Sequence, residues 1–227
     1  MKILSIKELK DTMWPEWLKD ALGDNIVSAF LHGDCLMEGF DPFREPWLIS
    51  FWLRDNSPEK LQPLQDLLRT AEKHKVKFGY YFTNEFFETA TDVFPLEFLH
   101  IANRNEPIIG EKPLQGFVPD RKALRLQCER ELRGALVHLY GNYVYRMRGR
   151  TSIDFFLEAE RRLLPILYGV RYLETGVYPE NRDSVYEVYP FLKIVPPGER
   201  EESVSKRAEN YIKEVDKILQ YIDKMEV

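Results

Sequence analysis

The stretch from Arg121 to Tyr145 places the strongest constraint on what this chain can fold into. It contains no proline, and apolar residues recur along it every three to four positions, which is the pattern of one face of a helix. Before it, short apolar runs alternate with loops rich in glycine and proline, which is typical of strands mixed with helices. The sequence therefore predicts a mixed α+β domain over residues 1–119 and an all-helical domain over residues 120–227.

Short apolar runs in the first domain predict its strands, which are expected at Ile26–Leu31, Trp47–Leu53, Val76–Phe82 and Val93–Ile101. A further edge piece is expected near Pro107. Helix-capping residues stand between these runs, with Ser5 and Glu8 forming a capping box and Ser57 preceding Pro58. Together these signals favour a sheet covered by short helices.

Composition excludes several classes of protein. The 32 Lys and Arg residues against 37 Asp and Glu give a net charge of −5, so nucleic-acid binding is not expected. No apolar run approaches the roughly 18 residues of a membrane span, and the first residues turn charged by Lys7, which predicts a cytoplasmic protein without a membrane partner. Cys35 and Cys128 stand alone and the four histidines lie in separate segments, so spacing predicts no metal site.

One segment resembles the nucleotidyltransferase superfamily in the order of its parts, which are an apolar strand, Gly33-Asp34, an acidic loop and a second apolar strand. Its sequence is AFLHGDCLMEGFDPFREPWLISFWL. A second stretch is similar to a bacterial subgroup of nucleotidyltransferase-like proteins with a helical C-terminal domain. It runs from FFETATDVFPLEFLHIANRNEPIIGEKPL to the helix LRLQCERELRGALVHL. The resemblance implies a strand ending in glycine and a hydroxyl residue, Asp-x-Asp on the next strand, and a third carboxylate on a later strand. It also implies magnesium and a nucleoside triphosphate as partners of active members.

This chain departs from that pattern at the residues that hold magnesium. The Asp-x-Asp positions fall on Pro46 and Leu48, and Asp34 replaces the hydroxyl residue that contacts the triphosphate. Glu97 alone stands at a plausible carboxylate position, on the predicted strand 93–101. Because two divalent cations need several carboxylate ligands, we predict a degenerate site with no cofactor. Its remnant nucleotide-binding residues are His32, Gly33, Asp34 and Glu45, and its partner is an unidentified small molecule or protein.

Two enzymatic alternatives stay open at this point. Glu38, Asp41 and Glu45 lie in the loop between the two strands, so a rearranged acidic site around Glu97 is one hypothesis, with magnesium and a nucleoside triphosphate. The other is a ribonuclease in the helical domain. Arg133 and His138 have the Arg-x4-His spacing of helical ribonucleases, although Arg69 and His74 share it.

Two further features concern the helical domain. Tyrosines between Tyr168 and Tyr189 are mixed with prolines and charges, which suggests an interface and a homodimer through this domain. Arg146, Arg148 and Arg150 form a basic cluster, which is favourable at the end of a helix.

Overall fold

The structure is a computed structural model, and it describes residues 3–37, 39–146, 152–194 and 203–227. Glu38 and the arginines at 148 and 150 lie outside the described residues. Internal contacts divide the chain into two compact units. The first unit comprises Met1–Thr91 and Glu97–Val118, and the second comprises Asp92–Leu96 and Pro119–Val227.

The first unit holds the sheet and a set of short helices. The strands are β1 (Ile26–His32), β2 (Trp47–Leu53), β3 (Val76–Phe82) and β4 (Asn105–Gly110). The helices of the first hundred residues are α1 (Ile6–Lys10), α2 (Trp14–Leu22), α3 (Pro58–Leu61), α4 (Leu68–His74), α5 (Asn84–Thr89) and α6 (Pro95–Asn103). Short 3-10 helices occupy Gly23–Asn25, Gly33–Leu36 and Gln62–Leu67. The first three predicted strands are confirmed, with β1 one residue longer than expected.

The sheet is mixed, in the order β3-β2-β1-β4. β1 runs antiparallel to both β2 and β4, whereas β2 and β3 are parallel. Side chains alternate between the two faces of each strand. One face packs on α1, α2 and α4 through Ala29, Leu31, Ile49 and Phe51. The other face carries Phe30 and Phe82, which pack against Phe87, Phe98 and Ile101 of α5 and α6.

The segment predicted as a fourth strand, residues 93–101, is a helix instead, so that prediction was wrong. Pro95 occupies the first helical position of α6, where its missing N–H costs nothing. The side chain of Gln127 accepts a hydrogen bond from the Leu96 N–H at 2.8 Å, which satisfies a free donor of the first turn. The fourth strand is β4, close to the edge piece expected near Pro107, and it lies at the sheet edge where a proline is tolerated.

The second unit is helical. Its helices are α7 (Arg121–Arg146), α8 (Ser152–Thr175), α9 (Arg182–Tyr186) and α10 (Val204–Asp223), with a 3-10 turn at Pro190–Leu192. α7 packs against α8 and α10 through the predicted apolar stripe, of which Leu124, Cys128 and Leu132 are fully buried. Together with the first unit, this confirms the predicted class, an α+β domain followed by helices. In the described residues no helix is long and apolar enough to span a membrane.

Candidate functional site

The predicted remnant residues lie where β1 ends and β2 begins. His32 is the last residue of β1, and Gly33 follows it with a φ of +73°, a left-handed conformation that favours glycine. Asp34 is exposed in the 3-10 turn. Glu45 is half-buried in the loop that leads to Trp47, the first residue of β2.

His32 is buried, with 7% of its surface exposed, and it bonds to a residue of the neighbouring strand. Its Nε2 lies 2.7 Å from Oγ of Ser50, which has no exposed surface. The same Oγ accepts a hydrogen bond from the backbone N–H of Tyr80 at 2.8 Å. Three strands are therefore joined through one serine hydroxyl.

The charge state of His32 follows from this burial. Desolvation lowers the pKa of His32 to about 4, so the ring is neutral at pH 7. A serine hydroxyl has one hydrogen and two acceptor lone pairs, so the Ser50 hydroxyl, besides accepting from Tyr80, either donates to Nε2 of the neutral ring or accepts from it, according to the tautomer.

Gly79 makes room for the Ser50 hydroxyl. A Cβ at position 79 would lie 2.5 Å from Oγ of Ser50 and 3.0 Å from Cδ1 of Leu48. Both distances are too short for ordinary packing, and the serine is held in place by two hydrogen bonds. The position therefore requires glycine for steric reasons, in the middle of a strand where glycine is otherwise unfavourable.

An aromatic surface adjoins the buried network. The ring of Tyr80 stacks on His32 with centroids 5.5 Å apart and an interplanar angle of 30°, and it lies 5.4 Å from the ring of Phe82. Tyr80 is nevertheless 52% exposed. Leu48, half-buried, lies 3.8 Å from the position that a Cβ on Gly33 would take. The side chains of His32, Tyr80, Phe82 and Leu48 therefore form an uncharged and partly aromatic surface within the site.

The acidic residues of the loop do not gather into a ligand set. Asp41 accepts a hydrogen bond from the Phe43 N–H at 2.9 Å and pairs with Arg44 at 3.4 Å. Over the described part of the chain, no group of three or more His, Cys, Asp or Glu side chains has the arrangement that a metal ion needs.

Glu97 is not on a strand, so this part of the prediction was wrong. It lies in the first turn of α6 and is half-buried. A carboxylate in that turn is favoured by the helix dipole, which accounts for a glutamate here without a catalytic role.

Sequence reasoning missed Ser50, Gly79 and Tyr80, which build the network around His32. The signal for Ser50 was present, because it is the one polar residue in the strand WLISFWL and lies two positions from Leu48, hence on the same face. Asn105 was also missed. It is paired with His32 across β1 and β4, and its buried Oδ1 has no hydrogen-bond partner among the described residues, although its Nδ2 donates to the Ile101 carbonyl at 2.7 Å.

The structure separates Arg133 from His138. Arg133 bonds to Glu129 at 2.7 Å and to Asp223 of α10 at 3.3 Å. His138 instead lines a groove of about 430 Å³ between α7 and α8. The two side chains therefore lie on different faces of α7, one towards α10 and the other towards α8. They do not converge, as the ribonuclease hypothesis requires.

The tyrosines expected at an interface are largely internal. Tyr168 is fully buried and stacks on Tyr178 at 5.3 Å. Tyr186 donates a hydrogen bond to Glu160 at 2.5 Å, and Tyr189 donates one to Glu174 at 2.9 Å. Burial and the neighbouring carboxylates hold the phenol pKa of Tyr186 and of Tyr189 far above its usual value. These tyrosines therefore stabilise the packing of helices within the second unit.

Comparison with known proteins supports the fold alone. No protein-family model and no curated protein matches the sequence. The spectinomycin adenyltransferase AAD(9) from Enterococcus faecialis, solved with ATP and spectinomycin, is similar in structure with a TM-score of 0.51 and 11% identity, over 95% of this chain and 99% of that one. A nucleotidyltransferase-like protein from Exiguobacterium sibiricum matches at a TM-score of 0.35 and 13% identity, over 94% of this chain and 75% of that one.

Proposed function

We propose that this chain, which has the nucleotidyltransferase-like fold, has lost metal-dependent nucleotidyl transfer and uses the remnant site as a ligand-binding or protein-interaction module. The observation that carries the proposal is that Pro46 and Leu48 stand where the resemblance implies metal-binding carboxylates, next to the uncharged network of His32, Ser50 and Tyr80. A neutral histidine and a buried hydroxyl cannot replace the charge that two divalent cations require.

The exposed ring of Tyr80 supports binding rather than chemistry. Its position over His32 is fixed by the backbone bond to Ser50 and by the neighbouring ring of Phe82. A rigid, half-exposed aromatic ring is a suitable surface for stacking a planar group such as a nucleobase or an aromatic side chain. The acids at Asp34 and Glu45 disfavour a triphosphate in the absence of metal.

The active alternative would need a different arrangement of acids. Glu97 would have to act together with loop carboxylates, yet it belongs to the first turn of a helix. No observation on the described residues favours that alternative over the proposal.

We expect titration of the chain with ATP and magnesium, followed by calorimetry, to show no magnesium-dependent increase in affinity and no release of pyrophosphate. Adenosine without phosphates is the second probe, because it tests stacking without the charge. Pyrophosphate release on addition of magnesium would overturn the proposed loss of transfer.

The binding surface is tested by Tyr80→Ala with Tyr221→Ala as its control. Tyr80 and Tyr221 are almost equally exposed, at 52% and 51%, but Tyr221 lies on α10 of the other unit. We expect Tyr80→Ala to weaken adenosine binding about tenfold, in line with the 1–3 kcal/mol of a stacked base. An equal effect of the two variants would contradict a site at Tyr80.

A further inference from the structure

A cavity of about 430 Å³ opens at the end of the sheet opposite to His32. It is lined by the start of β1, the end of β2 and the segments that follow β2 and β3; the residues are Val27, Leu53, 54–56 and 83–85. Val27 and His32 are five positions apart along β1, roughly 17 Å at the rise of a strand. The cavity is therefore separate from the remnant site, and its volume lies within the range of about 300–1,000 Å³ of small-molecule sites.

Hydrogen bonds order the segment that follows β2. Asn25 donates from Nδ2 to the Asp55 carbonyl and accepts from the Asp55 N–H at Oδ1, both at 2.9 Å. Nε of Arg54 donates to the Asp24 carbonyl, also at 2.9 Å. The segment is thus fixed before any ligand binds, which lowers the entropic cost of binding.

Two asparagine amides of the cavity wall are fixed in the same way. Nδ2 of Asn56 donates to the Tyr81 carbonyl at 3.0 Å, and Oδ1 of Asn84 accepts from the indole N–H of Trp52 at 2.6 Å. These bonds use one polar atom of each amide. The other atoms, an acceptor on Asn56 and a donor on Asn84, remain for a ligand.

Charges of both signs line the cavity without pairing with one another. Arg54, Asp55 and Glu85 are exposed lining residues, and over the described residues no ion pair joins any two of them. Hydrogen bonds from Ser57 lower the pKa of Asp55, so its carboxylate is charged at pH 7. Each of the three charges is therefore able to pair with a group of a ligand.

We propose that this cavity binds a small zwitterion of the α-amino acid class, with its carboxylate at Arg54 and its ammonium group at Asp55 and Glu85. The guanidinium is held at Nε by Asp24, which leaves its two Nη groups for the paired hydrogen bonds that a carboxylate accepts. The ammonium group donates three hydrogen bonds, and the two carboxylates and Oδ1 of Asn56 accept them. Because two carboxylates face one guanidinium, basic amino acids bind more tightly than acidic ones.

Titration of the full chain with L-lysine, followed by NMR, tests the proposal. We expect the backbone amide signals of residues 54–56 and 83–85 to shift, with a dissociation constant in the millimolar range because the charged groups are exposed. L-Glutamate should bind at least about fivefold more weakly. Absence of a saturable shift with L-lysine would overturn the proposal, and equally tight binding of glucose would replace the zwitterion by an uncharged polyol.

Glu85→Gln, with Glu88→Gln as its control, tests the ammonium position. Both glutamates are exposed on α5, but only Glu85 lines the cavity. We expect Glu85→Gln to weaken L-lysine binding about fivefold, the upper end for an exposed ion pair, and Glu88→Gln to leave it unchanged. Equal effects of the two variants would contradict the assignment.

The carboxylate position is tested with Arg54→Gln and a second ligand, L-lysinamide, which lacks the carboxylate. The preference for L-lysine over L-lysinamide should fall about fivefold in this variant relative to the wild type. Because the preference compares two ligands on the same variant, it does not depend on the stability of that variant. An unchanged preference would show that Arg54 does not bind the carboxylate.

Discussion

Between pH 7 and pH 5 we expect the free energy of unfolding to fall by about 2 kcal/mol because of one side chain, His32. Burial holds its pKa at about 4 in the folded chain, against 6.5 for the exposed group. Between these values the unfolded chain binds more protons than the folded chain, so the stability from neutral His32 is complete above pH 6.5 and is lost as the pH falls towards 4.

The measurement is urea unfolding of the wild type and of His32→Gln at both pH values. Glutamine can still accept from the Ser50 hydroxyl but does not titrate, so the variant should lose most of the pH dependence. His74 also has a pKa lowered by burial, yet it is present in both proteins and cancels in the difference. The control His138→Gln changes an exposed histidine and should leave the pH dependence intact; an unchanged slope in His32→Gln would contradict a buried neutral ring.

Gly79→Ala should destabilise the chain by about 1–3 kcal/mol, the range found for overpacked interiors. The added methyl would stand 2.5 Å from Oγ of Ser50 and would force that hydroxyl away from both of its partners. Urea unfolding gives the change. The same substitution at Gly141, where a Cβ meets no neighbour, should stabilise the chain by about 0.5–1 kcal/mol, so the two alanines are expected to act in opposite directions.

A double-mutant cycle links the effect of Gly79 to Ser50. Ser50→Ala leaves the ring of His32 and the Tyr80 N–H without their buried partner, which should cost about 1–3 kcal/mol by itself. Adding Gly79→Ala to this variant should cost less than it does in the wild type, because the clashing oxygen is gone. Strictly additive costs would show that the glycine is required by Leu48 or by the backbone instead.

Local sequence signals predicted β1, β2 and β3 because each is a short apolar run between loop residues, and the order of these elements also indicated the nucleotidyltransferase-like fold. The same reasoning failed at residues 93–101, since a short apolar run fits a strand and a buried helix equally well. Pro95 at the first helical position is a local signal for this helix, and the distant side chain of Gln127, which bonds to the Leu96 N–H, is the further reason why the helix begins there.

The sequence predicted the site residues at the end of β1, but not those that the neighbouring strands β2 and β3 contribute. His32 ends β1 and Gly33 follows it in the sequence, so the strand end located them. Ser50, Gly79 and Tyr80 join them only through the register of the sheet, which no local pattern fixes. The same limit applies to Glu97, whose interpretation depended wholly on the strand assignment.

The placement of Leu96 has a consequence for dissecting or recombining this chain. Residues 92–96 are grouped with the helical unit, where a Cβ on Gly169 would lie 2.5 Å from Leu96 Cδ1 and 2.9 Å from Cys128 Sγ. A helical fragment that begins at residue 119 would lack Leu96, and the space that this side chain fills between Cys128 of α7 and Gly169 of α8 would be empty. Residues 119–227 alone are therefore not a complete unit. A transfer of the helical part to another protein must include residues 92–96, which precede it by more than twenty positions.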